Sequence, residues 1–188
     1  MVIDISLVAF LLIYFILCLL LFLIMRLNDK NRYVLMMLIL FYILILIKLV
    51  FMPIHIYDSD ILGKQTNSIS LYNMIQLHPF KTILEVINVG TWKMQIIGNI
   101  VLLSPIPLFY YIIKHGKGRI IVPIVIGIVI SLSIESLQLM IDLIIKYPSK
   151  IFDVDDLLLN VLGVVASAII CKVALHNQKV LLEFNKLQ

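Results

Sequence analysis

Charged side chains are scarce in this chain, at 14% of 188 residues, where soluble domains carry about 25%. Cysteine is nearly absent: Cys18 and Cys171 both fall in apolar sequence, with no spacing that suggests a disulfide framework. The four histidines (His55, His78, His115, His176) are scattered, and no His-x-x-x-His or Cys-x-x-Cys pair occurs, so a zinc site of ordinary form is not expected. No serine or cysteine nucleophile set against a histidine is apparent, which leaves covalent hydrolysis with little support. The formal net charge of +4 lies in short loops rather than in a patch, which argues against a nucleic-acid partner.

Apolar residues, by contrast, reach 62%, against about 45–50% in soluble domains, and the mean hydropathy is +1.11. A bilayer core takes about 20 apolar residues per helix. Five stretches meet that length, near Ile5–Met25, Tyr33–Met52, Ile96–Ile113, Ile120–Ile141 and Leu157–Val173. The first lacks a basic leader and a small-residue cleavage site, so it reads as a span rather than a signal peptide. The expected fold is all-α: a polytopic helix bundle of about five transmembrane helices, built as one domain over residues 1–188.

Basic residues in short loops orient such a bundle. The first loop carries Arg26, Lys30 and Arg32, the third Lys114, Lys117 and Arg119, and the tail Lys172, Lys179 and Lys186. The other side has Lys64, Lys81, Lys93, Lys146 and Lys150, while Lys48 sits where a lysine can snorkel to the headgroups. Nine against five predicts an outside N-terminus and a cytoplasmic C-terminus. The long outer segment Pro53–Lys93 holds the interface anchors Tyr57, Tyr72 and Trp92, and Pro79–Val89 reads as a short interfacial or re-entrant helix with proline in its first turn. An ordinary amphipathic connector is an equal reading. Pro105 and Pro107 predict a kink in the third span, whereas Pro123 only opens the fourth.

Against this background the polar residues within or beside the spans stand out. Glu135, Gln138 and Asp142 share one face of the fourth span, at i, i+3 and i+7. Asp153, Asp156, Asn160 and Gly163 follow the same spacing on the fifth, with Asp155 between them, and Asn99 lies about one turn into the third. With the predicted orientation all of them fall in the outer leaflet. A carboxylate at the bilayer centre costs roughly 3 kcal/mol on insertion scales, so Glu135 needs a proton or a partner. Pairing of spans four and five through their polar stripes would bring it within reach of Asn160, Asp156 or Asn99, and Gly163 permits close helix approach.

Four motifs in order carry a family resemblance over about residues 72–167. They are Asn73-Met74-Ile75-Gln76-Leu77-His78-Pro79-Phe80-Lys81-Thr82-Ile83; Gly98-Asn99 running through Pro105-Ile106-Pro107; Ser133-Ile134-Glu135-Ser136-Leu137-Gln138; and Phe152-Asp153-Val154-Asp155-Asp156 followed by Asn160 and Gly163. The chain resembles the VanZ-like family, named for a bacterial membrane protein of glycopeptide-resistance clusters. Lys150 stands where the family often has arginine, which would remove a bidentate contact, and Leu108 replaces a usual glycine. The two spans in residues 1–52 rest on hydropathy alone. The resemblance implies a multi-pass bacterial cell-membrane protein associated with teicoplanin-type resistance.

Three function classes follow. The working hypothesis is an envelope protein whose acidic outer-leaflet site (Asn99, Glu135, Gln138, Asp153, Asp155, Asp156 and Asn160) meets a glycopeptide antibiotic or a lipid-linked cell-wall precursor. A second is a membrane-embedded enzyme with Glu135 and Asp156 as catalytic candidates, and Asp153, Asp155 and Asp156 binding a divalent cation such as Mg²⁺ or Ca²⁺ through oxygen ligands. A third is a structural partner subunit. Asp153 with Asp156 is also a helix-start pattern. If the acids only cap their own helix, Asp153→Asn costs little and Asp155→Asn almost nothing.

Overall fold

The computed structural model describes residues 2–25, 30–55, 74–147 and 149–184. Helices dominate, as expected from the apolar runs: α1 (Leu7–Met25), α2 (Lys30–Phe51), α3 (Lys81–Val89), α4 (Trp92–Leu102), α5 (Pro105–Ile113), α6 (Ile121–Ile145) and α7 (Val154–Phe184). Four two-residue strands accompany them: β1 (Val2–Ile3), β2 (Ile54–His55), β3 (Ile75–Gln76) and β4 (Phe152–Asp153). Four stretches are long and apolar enough to cross a membrane, Arg32–Phe51, Trp92–Ile113, Ile121–Ile145 and Val154–Leu175. Helix α1, at 19 residues, carries no charge and spans about 28 Å, close to the roughly 30 Å hydrocarbon core. The arginine-bearing turn before α2 and the anchors Tyr57 and Tyr72 lie outside the described residues, as does Lys64.

By contacts the chain forms two compact units, Met1–Ile69 and Ser70–Gln188. The first is a helical hairpin. Ser6 caps α1, its Oγ accepting the Ala9 amide at 3.2 Å. Phe41 of α2 meets Phe10 and Tyr14 edge-on at 6.0 and 5.2 Å, and the Tyr33 hydroxyl donates to the Cys18 carbonyl. Lys48 does not simply snorkel: its Nζ donates to the Ile5 carbonyl at 2.6 Å, in the segment just before α1. β1 and β2 close the hairpin in antiparallel pairing.

In the second unit α7 is the central element, packed against α4, α5 and α6. Glycines set the two closest approaches. A Cβ on Gly163 would stand 1.8 Å from the Ile100 carbonyl oxygen, so α4 touches the α7 backbone directly. The close approach of a neighbouring helix that Gly163 allows is therefore made by the third span. On the α6 side, a Cβ on Gly127 would meet Val164, fully buried, at 2.7 Å.

The third span is broken where the prolines predict. Pro105 has no N–H for the Val101 carbonyl, and its ring cannot follow an unbroken turn. The Ser104 amide and Oγ both donate to that carbonyl instead, at 3.2 and 2.9 Å. Pro107 likewise leaves the Leu103 carbonyl without its usual partner, and the Ile106 amide takes it at 3.2 Å. The kink therefore divides the span into α4 and α5 while both carbonyls that the prolines leave keep a donor.

The candidate functional site: a mixed-charge cleft at one end of the bundle

The site begins with a short parallel pairing. β3 lies beside β4 with Ile75 opposite Phe152 and Gln76 opposite Asp153. The Gln76 side chain folds onto His78, accepting its amide at 2.8 Å and donating to its carbonyl at 2.6 Å. Segment 74–80 is thereby held against the start of α7, and α3 follows it. Helix α3 has no cap of its own, because its N-cap position is Phe80, held in the left-handed region at φ 67°.

The missing cap comes from 72–75 residues further along the chain. Asp155, wholly buried, accepts the Phe80 amide at 2.6 Å and the Ile83 amide at 3.2 Å, one with each carboxylate oxygen. A negative side chain at a helix N-terminus satisfies orphan amides and complements the helix dipole. The expectation that Asp155 is dispensable when the acids only cap fails here, because the helix it caps is not its own.

Asp153 does cap its own helix: its Oδ1 accepts the Asp155 amide at 2.8 Å. Its backbone amide in turn donates to Glu135 Oε2 at 3.0 Å. Glu135, 2% exposed, is thus answered by a main-chain donor at the positive end of α7 rather than by a side-chain amide. This contact ties α6 to the β4–α7 junction. Asn99 donates through Nδ2 to Asp156 Oδ1, joining α4 to α7. Asn160 donates to Ser131 Oγ at 3.2 Å, joining α6 to α7 one turn deeper, while its Oδ1 has no partner among the described residues. Asp142, also fully buried, receives the Lys150 amide on both oxygens at 3.2 and 3.0 Å and anchors the turn after α6.

The three aspartates expected as metal ligands are accordingly divided: Asp153 serves α7, Asp155 serves α3, and Asp156 pairs with Asn99. Among the described residues no three His, Cys, Asp or Glu side chains are gathered to hold a metal ion.

What these contacts frame is a cleft of about 440 Å³. Asp153, Asp156 and Gln138 line one part of it. The remainder comes from residues that motif reading did not single out as site residues: Gln76, Lys81, Thr82 and Glu85 from β3 and α3, Gln95 from α4, and Ser149 to Ile151. Burial pushes the Lys150 ammonium below its ordinary pKa, with the Asp142 carboxylate opposing the shift. Glu135, Asp155 and Asn160 are not among the lining residues; they hold the walls. Gln76 and Lys81 stood inside the first sequence motif without being marked as site residues, and Lys150 was visible as a departure just before the fourth. Gln95 carried no signal, since the α4–α7 contact brings it in.

A family model described as VanZ/LLP1 matches residues 38–175, a longer stretch than the motifs alone covered, reaching back into α2. No curated protein and no solved structure matches the chain. With spans of membrane length and a family match over most of its residues, this multi-pass membrane protein belongs to the VanZ/LLP1 family.

Proposed function

We propose that this protein acts in the bacterial cell envelope and contributes to glycopeptide resistance of the teicoplanin type, through its mixed-charge cleft. Positive-inside counting directs the Lys114–Arg119 turn to the cytoplasm, and so the cleft, at the opposite end of α6, to the outer leaflet. The observation that carries the reading is the cleft's lining, which brings together two lysines (Lys81, Lys150), three acids (Glu85, Asp153, Asp156) and the side-chain amides of Gln76, Gln95 and Gln138. Such a lining complements a ligand bearing both a cationic and an anionic group, as glycopeptides and lipid-linked cell-wall precursors do.

The test is teicoplanin susceptibility of a sensitive bacterium expressing the protein, with membrane levels matched. Lys150→Gln and Asp156→Asn remove a charge from the cleft and are expected to restore sensitivity. Full resistance in both variants refutes the assignment of function to the cleft. A second reading, acid–base chemistry on a lipid-linked substrate, is favoured by Asp156 being half-buried and lining the cleft, a position in which a carboxyl can meet a substrate proton. On that reading Asp156→Asn abolishes a product detectable by mass spectrometry while ligand binding survives.

A further inference from the structure

The other end of the second unit holds a separate cavity of about 380 Å³ that the mixed-charge cleft does not reach. Its walls come from α5 (Leu108, Tyr111, Ile112), the turn at His115 and Gly116, and α7 at Cys171, Ala174 and Leu175. The volume falls within the roughly 300–1,000 Å³ range of ligand pockets. The lining is apolar apart from Tyr111 and the His115 rim, and Tyr111 is anomalous. It is 3% exposed, yet its hydroxyl has no hydrogen-bond partner among the described residues. Buried hydroxyls are normally paired, and leaving one unpaired costs about 1–3 kcal/mol.

The rim supplies the second observation. Lys114, Lys117, Arg119 and Lys172 are exposed around the turn, and Lys172 reaches the Gly118 carbonyl at 3.3 Å and stands 5.9 Å from the Tyr111 ring centroid. The carboxylates of this unit with described side chains all lie elsewhere: Glu85, Asp153 and Asp156 at the cleft, Asp155 on α3, Glu135 on the Asp153 amide, and Asp142 on Lys150. The turn itself is fixed, since a Cβ on Gly118 would strike the Tyr110 ring at 2.2 Å. An apolar cavity, an unpaired buried donor and an unopposed cationic rim thus follow one another at the basic end of the bundle.

We infer that this cavity binds one anionic glycerophospholipid. An acyl chain fills the apolar walls, the Tyr111 hydroxyl donates to a glycerol-ester carbonyl, and Lys172 with the turn's basic residues holds the phosphate. Basic pockets beside membrane helices recognise anionic headgroups in this way. A donor at ester depth followed by cations at headgroup depth matches the order of groups along such a lipid.

The experiment is native mass spectrometry of the full chain released from detergent micelles doped with phosphatidylglycerol or with phosphatidylcholine of the same acyl chains. Phosphatidylglycerol is expected to be retained preferentially. Tyr111→Phe lowers retention of either lipid by about fivefold, the worth of one hydrogen bond, and Lys172→Gln lowers the preference between them. Thermal unfolding separates this from a packing role: without lipid, Tyr111→Phe melts no lower than wild type, because it removes only an unpaired hydroxyl. Equal retention of the two lipids, unchanged retention in Tyr111→Phe, or a lower melting point of that variant without lipid each overturns the inference. Displacement of the lipid by glycerol 3-phosphate alone does so too, in favour of a soluble phosphate ligand.

Discussion

Replacing Asp155 tests whether the wall of the cleft is built across the chain. Its buried carboxylate holds two α3 amides at 2.6 and 3.2 Å. Hydrogen bonds to a charged group are worth about 1.5–3 kcal/mol each, and loss of an N-cap side chain typically costs about 1 kcal/mol. The two bonds share one helix end, so Asp155→Ala is expected to loosen the α3 N-terminus by about 3 kcal/mol. That corresponds to roughly a hundredfold loss of amide protection in residues 80–84. Asp155→Asn keeps one acceptor oxygen but turns an amide donor towards the second N–H, so it should give a smaller loss of about tenfold. Hydrogen exchange of the protein in nanodiscs, read by mass spectrometry, follows these amides against α6 as an internal reference. Unchanged protection at 80–84 in Asp155→Ala would refute the trans-capping argument, and equal losses in α3 and α6 would show a global defect instead.

Other outcomes follow from the same structure. Gly163→Ala places a methyl 1.8 Å from the Ile100 carbonyl and must separate α4 from α7, so it should lower folded yield in membranes more than Gly127→Ala, which meets only the Val164 side chain; the reverse order, measured by detergent-resistant monomer yield, contradicts the packing. Orientation is read by impermeant thiol reagents in intact cells after Cys18 and Cys171 are replaced: cysteine at Glu85 is expected to label and cysteine at Lys117 is not, and the opposite pattern overturns the outer-leaflet placement.

Much of this architecture is legible in the residue order. The apolar runs lie along α1, α2, α6 and α7 because a helix satisfies its backbone polar groups within one segment in lipid, and the two prolines mark the α4–α5 break because each removes a main-chain donor. Pro79–Val89 is likewise a short helix, although it begins at Lys81, after a left-handed Phe80. The polar residues themselves were visible, because an acid in an apolar run must be accounted for. Their partners were not. Glu135 is answered by a backbone amide 18 residues on, and amides leave no mark in a sequence. Asp155 reads as an acid at the start of its own helix, and only the β3–β4 pairing reveals that a second helix end lies against it. A pairing of two residues is too short to show as a periodic pattern.

The central claim is that the cleft lined by Lys81, Lys150, Glu85 and Asp156 receives a charged envelope ligand. The most direct measurement is binding of a lipid-linked cell-wall precursor, and separately of teicoplanin, to the full chain in nanodiscs. Wild type is set against Lys150→Gln. Saturable binding of at least one of these ligands is expected, weakened about tenfold or more by Lys150→Gln. Saturable binding that survives Lys150→Gln intact, or no binding of either ligand to wild type, would contradict it.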